Sequence, residues 1–323
     1  MGEFEAIDRF FARLGALRPD VLLGVGDDAA LVVPPPGELL ALCADTLVEG
    51  VHFPADLDPA DIGWRSLAVN LSDLAAMGAK PAWALLALTL PRLDEAMEDW
   101  LEAFARGFGA LAQLHGVALV GGDTTRGPLA ITVQLGGHVP PGQALLRSGA
   151  RVGDLVYVTG WPGDAAAGLA LLQGRRECAS RADRAALETR FRRPDPRVAV
   201  GLKLRGLATA CIDISDGLAQ DLGRLVAASG VGARLRTAEL PRSRALHALA
   251  DELAAVRFTL GGGDDYELLF TVPAVRTPLL RATLAGMVPC HCIGEVVAAP
   301  GVRCLDAAGQ EIQVAGWDHF RQA

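Results

Sequence analysis

Residues 58–90 read Asp58-Pro59-Ala60-Asp61-Ile62-Gly63-Trp64-Arg65-Ser66-Leu67-Ala68-Val69-Asn70-Leu71-Ser72-Asp73-Leu74-Ala75-Ala76-Met77, then Gly78-Ala79-Lys80-Pro81, then Ala82-Trp83-Ala84-Leu85-Leu86-Ala87-Leu88-Thr89-Leu90. The first block predicts a helix entered through Pro59, because a missing N–H costs nothing at the first helical position. The last block, closed by Pro91, is a continuous apolar run and predicts a strand. The same alternation extends in both directions. Phe4, Ile7, Phe10, Phe11, Leu14 and Leu17 recur at helical spacing and predict an amphipathic opening helix. Residues 22–33 are apolar on both sides of a Gly-Asp-Asp interruption, and 39–44 read as a buried strand. Met97, Leu101, Phe104, Phe108 and Leu111 mark a helix ending before Gly116, and strands at 117–120 and 129–139 flank a polar loop, 121–128.

Turn residues crowd at Pro140-Pro141-Gly142 and Gly149-Ala150-Arg151-Val152-Gly153, which places a domain boundary near residue 148. The expected domains are 1–148 and 149–323. In the second, strands are expected at 155–159, 211–214, 266–272 and 292–297. Helices are expected at 165–172, from Asp216 onward, and around 279–284. Strands alternating with helices throughout mean an α/β or α+β architecture in each half.

Composition narrows the function. The chain has 323 residues, 51% of them hydrophobic, enough for two real cores. Thirty basic against 38 acidic side chains leave a net charge of −8, the wrong sign for a dedicated nucleic-acid binder. The longest apolar run is about half of what a membrane span needs. Residues 1–17 carry acids and lack the basic start of a signal peptide. Six scattered cysteines do not form a secreted disulfide scaffold, so a cytoplasmic protein with reduced thiols is expected. Cys290-His291-Cys292 alternates as a strand would and has no second ligand pair at metal spacing.

The aspartates carry the chemistry. Asp27 and Asp28 follow Gly24-Val25-Gly26, Asp45 ends an apolar strand, and Asp123 follows Gly121-Gly122. Asp213 and Asp216 frame Ile214-Ser215, and Asp264 and Asp265 follow Gly261-Gly262-Gly263. Asp73 lies on the predicted helix, on one face with Ser66, Asn70 and Met77. Each alone reads as an ordinary turn or cap residue. Strand ends on one sheet edge converge, however, and two carboxylates at 4 Å repel by about 4 kcal/mol at an effective dielectric near 20. Such acids protonate, disperse or bind cations, and hard oxygen donors favour Mg²⁺. Glycine-rich turns at 121–122 and 261–263, with Arg126 and Arg147, are candidate phosphate cradles. The P-loop, dinucleotide and protein-kinase signatures are all absent.

These segments, with Asp45-Thr46-Leu47-Val48-Glu49-Gly50-Val51-His52-Phe53, Arg147-Ser148-Gly149-Ala150, Gly262-Gly263-Asp264-Asp265-Tyr266-Glu267-Leu268 and Trp317-Asp318-His319-Phe320, resemble the thiamine-monophosphate kinase family in family order over essentially the whole chain. The resemblance implies a two-domain fold like that of aminoimidazole ribonucleotide synthetase, a homodimer paired through the N-terminal sheet, and ATP-dependent phosphorylation of thiamine monophosphate. It implies Mg²⁺ ligation by Asp28, Asp45, Asp73, Asp123, Asp213 and Asp216, with Asp73, Asp123 and Asp213 central to catalysis. ATP contacts are implied at Gly121, Gly122, Asp123, Arg147 and Ser215, and substrate contacts at His52, Asp264 and Trp317. Read from the residues alone, His52 is either a structural or a substrate histidine, and Trp317 either plugs a core seam or stacks on a ring. Two departures from the family pattern stand out. Cys43 and Ala44 stand where hydroxyl residues are usual, and Asp264 replaces a common Glu. A cyclo-ligase or selenophosphate synthetase of the same superfamily, and a non-catalytic nucleotide-binding scaffold, are the competing expectations.

Overall fold

The computed structural model describes residues 2–306 and 308–312. They form two compact units, 2–74 with 79–142, and 75–78 with the described residues from 143 onward.

The first unit opens with α1 (Glu3–Ala6), which runs into one π turn, Ile7–Phe11. The expected helix through Leu17 is therefore cut short. At Gly15, φ is +90° and a Cβ would fall 2.5 Å from Val117 O, so the chain bridges to Ala118 and no longer coils. Next come β1 (Val21–Leu23), β2 (Leu31–Val32), β3 (Leu39–Val48), α2 (Pro59–Ala76), β4 (Lys80–Leu90), α3 (Glu95–His115), β5 (Ala118–Arg126) and β6 (Ala130–Val139). β1 and β2 form an antiparallel pair, and Val21 and Val32 pack on Ala82, Trp83, Ala118 and Val120. The main sheet runs β3-β6-β4-β5, antiparallel except for β4 with β5.

Helix α2 begins as its sequence requires: Asp58 Oδ1 accepts the Ala60 N–H at 2.8 Å. It is buried almost all round. α3 ends on Gly116, whose φ of 66° suits a residue without Cβ. Two strands differ from expectation. β3 is longer than predicted and is not buried, because it is an edge strand; Leu42 is 78% exposed while Leu47 is 4% exposed. β5 continues through the predicted loop, because β4 offers backbone partners from Leu85 to Leu90 alongside Gly121 to Arg126. Gly121 and Gly122 therefore sit in a strand and not in a phosphate-cradling turn.

The second unit comprises β7 (Asp154–Thr159), α4 (Asp164–Leu172), α5 (Arg181–Arg192), α6 (Val198–Leu204), β8 (Ala210–Asp213), α7 (Leu218–Ser229), β9 (Gly232–Arg236), α8 (Arg244–Leu249), α9 (Glu252–Gly261), β10 (Leu268–Pro273), α10 (Thr277–Leu284), β11 (Cys290–Val297) and β12 (Gly301–Leu305). Its sheet runs β12-β9-β11-β7-β10-β8, and only β12 with β9 is parallel. Val156, Val158, Ile212, Leu222, Leu225, Leu269 and Ile293 form its core. Leu268 registers with Asp213, Leu269 with Val158 and Cys290 with Thr159. Antiparallel pairing thus gathers four loops, 160–163, 214–217, 262–267 and 285–289, along one sheet edge.

α2 and α3 touch through backbone. A Cβ on Gly63 would lie 2.1 Å from Phe104 O, and one on Gly107 would lie 1.8 Å from Ala60 O. Gly107→Ala is therefore expected to destabilise the protein by about 1–3 kcal/mol through overpacking, despite alanine's better helix propensity. Urea unfolding checks this; a variant as stable as wild type would contradict the packing described.

Candidate active site

In the first unit, β3 and α2 bring two acids together. Ala41, Cys43, Asp45 and Leu47 share the less exposed face of β3. The Cys43 thiol donates to Asn70 O at 3.4 Å, and Asn70 lies three residues before Asp73 on α2. Asp73 hydrogen-bonds Asp45. Burial raises the Asp45 carboxyl above its usual range, and the bond from Asp73 pulls the other way. Burial, then Asp73 and then Asp45, push the Cys43 thiol up, so it is a neutral filler. Asp27 and Asp28 are exposed, with Asp27 Oδ1 accepting the Asp28 N–H. Asp123 is exposed in β5 and registers with Ala87. His52 is half-buried, and its Nδ1 accepts the Val48 N–H at 3.0 Å. That bond assigns the neutral ring's proton to Nε2.

In the second unit the site is the sheet edge. Asp213 closes β8 and is buried. The turn after it is held by Asp221, whose Oδ2 accepts the N–H groups of Ser215, Asp216 and Gly217 at 3.0–3.2 Å. Its Oδ1 takes Arg224 at 2.8 Å, and Arg224 also reaches Asp216 at 2.6 Å. Burial pushes the Asp221 carboxyl up to about 7, against the pull of those donors. Because the turn is stitched this way, α7 starts at Leu218 and not at the expected Asp216, with Gly217 at φ 124°. The Asp264 N–H donates to Ser215 O and the Tyr266 N–H to Ile214 O, both at 2.8 Å. Asp264 and Tyr266 have φ of 60° and 51°, which is strained for residues with side chains and stops β10 from starting at Tyr266. The Tyr266 hydroxyl donates to Asp264 Oδ1 at 3.2 Å.

Glu267 anchors this loop. It is 1% exposed and accepts two bonds from Arg197, at 2.6 Å each, and others from Arg190 and Thr159. Arg197 and Arg190 hold its carboxyl below the usual range in spite of burial. Asp265 Oδ1 accepts the Gly163 N–H at 2.8 Å, and burial pushes its carboxyl well above the usual range. Ser215 and Asp216 are half-buried, and Arg147 is exposed. Trp317 lies outside the described residues.

Asp45 and Asp73 thus come together in one unit, and Asp213 and Asp216 in the other. Among the described residues, no group of three or more His, Cys, Asp or Glu side chains is assembled as a metal cage. The donor chemistry nonetheless fits Mg²⁺: all the donors are oxygens, and the Asp45 and Asp73 carboxyls meet where a cation would relieve their repulsion. Asp221, Glu267 and Arg224 had no role in the sequence reading. The available signal was a Glu inside a strand-like apolar run, where only a paired charge survives.

Residues 26–139 match the AIR synthase related protein N-terminal domain and residues 151–306 its C-terminal domain. The thiamine-monophosphate kinase of Escherichia coli is 50% identical over 322 residues, covering 99% of this chain and 98% of that protein. The crystal structure of thiamine-monophosphate kinase from Stenotrophomonas maltophilia superposes with a TM-score of 0.85 at 48% identity, covering 91% of this chain and 93% of that one. The chain belongs to the thiamine-monophosphate kinase family. A second solved member, "AaThiL complexed with AMPPCP and TMP", is 33% identical with a TM-score of 0.78, covering 92% of each chain. In this family member, Cys43 fills the space beside Asp73 without offering a hard donor, and Asp264 reaches one methylene less far than Glu.

The Asp45–Asp73 pair has a pH signature. A carboxyl raised in the folded state binds its proton more tightly there than in the unfolded chain. Its stability contribution is full below the unfolded value and is lost as pH rises through the folded one. Asp45→Asn should therefore raise the metal-free Tm at neutral pH by about 2–4 °C, on the order of 1 kcal/mol, and flatten its pH dependence. A lower Tm across the pH range in differential scanning calorimetry would show that the pair does not carry this strain.

Proposed function

We propose that this chain transfers the γ-phosphoryl group of ATP to the phosphate of thiamine monophosphate, forming thiamine diphosphate. The observation that carries this reading is full-length similarity to thiamine-monophosphate kinases, at 50% identity, together with an acid pair and an acid turn at the family's motif positions. Asp45 and Asp73, and Asp213 and Asp216, with Asp28 and Asp123, would hold Mg²⁺. Bound there, the ion neutralises phosphate charge and aligns the reacting oxygens.

The chain's own residues position the reactants. Ser215, held by Asp221 through its backbone, and Gly121, Gly122, Asp123 and Arg147 contact ATP. This reading assigns thiamine monophosphate to His52, with its proton on Nε2, to Asp264, turned by its left-handed backbone, and to Trp317. The acceptor is already an anionic phosphate, so no strong general base is required, and catalysis is positioning plus electrostatics. Purified protein given Mg-ATP and thiamine monophosphate should yield thiamine diphosphate and ADP on product chromatography. Phosphate release with ring closure, or binding without turnover, would refute the kinase reading. Asp73→Asn and Asp213→Asn should each lower kcat at least about 100-fold with unchanged circular dichroism.

The same reading includes a cytoplasmic homodimer paired through the first unit's sheet. Support for the pairing comes from Leu40, Leu42 and Leu85, large apolar side chains exposed on β3 and β4. Among the described residues no helix is long and apolar enough to cross a membrane. Leu42→Asp should shift the protein to monomer in sedimentation velocity; an unchanged dimer would exclude this face.

A further inference from the structure

Strand β11 carries a motif that the proposed function leaves unused, Cys290-His291-Cys292. Strand alternation divides it between the two faces of the sheet. His291 packs its ring on Trp161, with 4.8 Å between the centroids. Cys290 and Cys292 stand on the other face, in register with Thr159 and Tyr157 of β7. All six cysteines are free thiols. Cys43 has two carboxyls beside it and Cys211 has Asp213, whereas Cys290 has Cys292. Cys304 lies two strands away on β12, and Cys178 lies between α4 and α5.

The spacing decides what two such thiols can do. Two residues along a strand advance by about 6.6 Å. A disulfide needs its Cβ atoms about 3.5–4.5 Å apart, so Cys290 and Cys292 cannot close one while β11 keeps its ladder with β7. A metal–thiolate bond is about 2.3 Å long, so two sulfurs on opposite sides of one ion lie about 4.6 Å apart, a span that thiols leaning toward each other along the strand can make. Burial, then Cys292 and then Glu267, push the Cys290 thiol up to about 12. Burial also raises the Cys292 thiol, with Glu239 acting the same way, while the Tyr157 hydroxyl and Arg281 act against them. Thr277 places that hydroxyl from 3.1 Å away. Both thiols therefore keep their protons until a thiophilic ligand displaces them, and Tyr157 and Arg281 then stand beside the negative charge that forms.

We propose that Cys290 and Cys292 bind one soft monovalent cation of the Cu(I) class between their two sulfurs. Thiolates select soft ions, whereas the Mg²⁺ proposed for the aspartates prefers oxygen. Among the described residues no third His, Cys, Asp or Glu joins the two thiols, which suits an ion content with two ligands in line and disfavours tetrahedral Zn²⁺. One Cu(I) and two thiols give one bis-thiolate anion and two protons released to solvent, with no change of oxidation state. Neither cysteine is among the residues assigned to metal, ATP or substrate above, and the inference does not rest on the kinase reading.

The test uses the full chain under anaerobic conditions, with Cu(I) presented as its bicinchoninate complex. Wild type should withdraw one equivalent of Cu(I) and gain the ultraviolet absorption of sulfur–copper bonds. Cys290→Ser and Cys292→Ser should each lower the affinity by at least about 100-fold, the upper end of what losing a merely supporting group costs. Cys178→Ser should bind as wild type does. Circular dichroism verifies that the variants fold. A second measurement needs no variant: in wild type, Cu(I) should protect Cys290 and Cys292 together from iodoacetamide, read by peptide mass spectrometry, and leave Cys178 as reactive as before. No withdrawal by wild type, unchanged affinity in either folded serine variant at 290 or 292, or protection of Cys178 in their place overturns the proposal. So does a Cys290–Cys292 disulfide in diamide-treated native protein, because it would place the two sulfurs closer than the strand allows.

Discussion

A carboxylate taken out of water has to be neutralised, and this chain solves that problem in three ways. Glu267 is neutralised by side chains, Arg197 in a two-pronged contact and Arg190 beside it. Asp221 is neutralised mostly by backbone, through three successive N–H groups on one oxygen. Asp45 and Asp73 are set against each other, carboxyl to carboxyl. The first two arrangements are closed and act as anchors. The third is the pair that the proposed function assigns to Mg²⁺, since a divalent cation relieves the repulsion between two carboxylates.

The closed pairs serve the open chemistry. Asp221 fixes the backbone between Asp213 and Gly217, so two candidate ligands and Ser215 are held by one buried side chain. Glu267 fixes the start of β10, and the residues before it bend back to bond Ile214 and Ser215. Strain at Asp264 and Tyr266 is tolerated because bonds on both sides determine their backbone. Gly160 permits the close approach, since a Cβ there would lie 1.8 Å from Glu267 Oε1. Rigid supports around a few half-buried acids are what a positional catalyst needs.

Local pattern was enough for many elements. α2 is legible from Asp58-Pro59 and its apolar face, and α3 from its periodicity and Gly116, because caps and period are properties of a few adjacent residues. Cys290-His291-Cys292 was legible as a strand for the same reason. The length of the opening helix, the exposure of β3 and the strand character of Gly121 to Arg126 were not. The first depends on Val117 crowding Gly15, the second on β3 lying at a sheet edge, and the third on backbone partners that β4 supplies. The aspartates stood out by their places at strand ends, but Asp221 and Glu267 did not, because their partners are assembled by the fold.

The amino-acid order by itself therefore determined the kinds of element, their approximate bounds, an acid-rich phosphate chemistry and, through its motifs, the family. Tertiary structure alone decided which acids meet and which are locked by arginine or backbone. The reason is that hydrophobic period and capping act over a turn or two of chain. Charge neutralisation acts through space, between residues as far apart in sequence as Arg190 and Glu267.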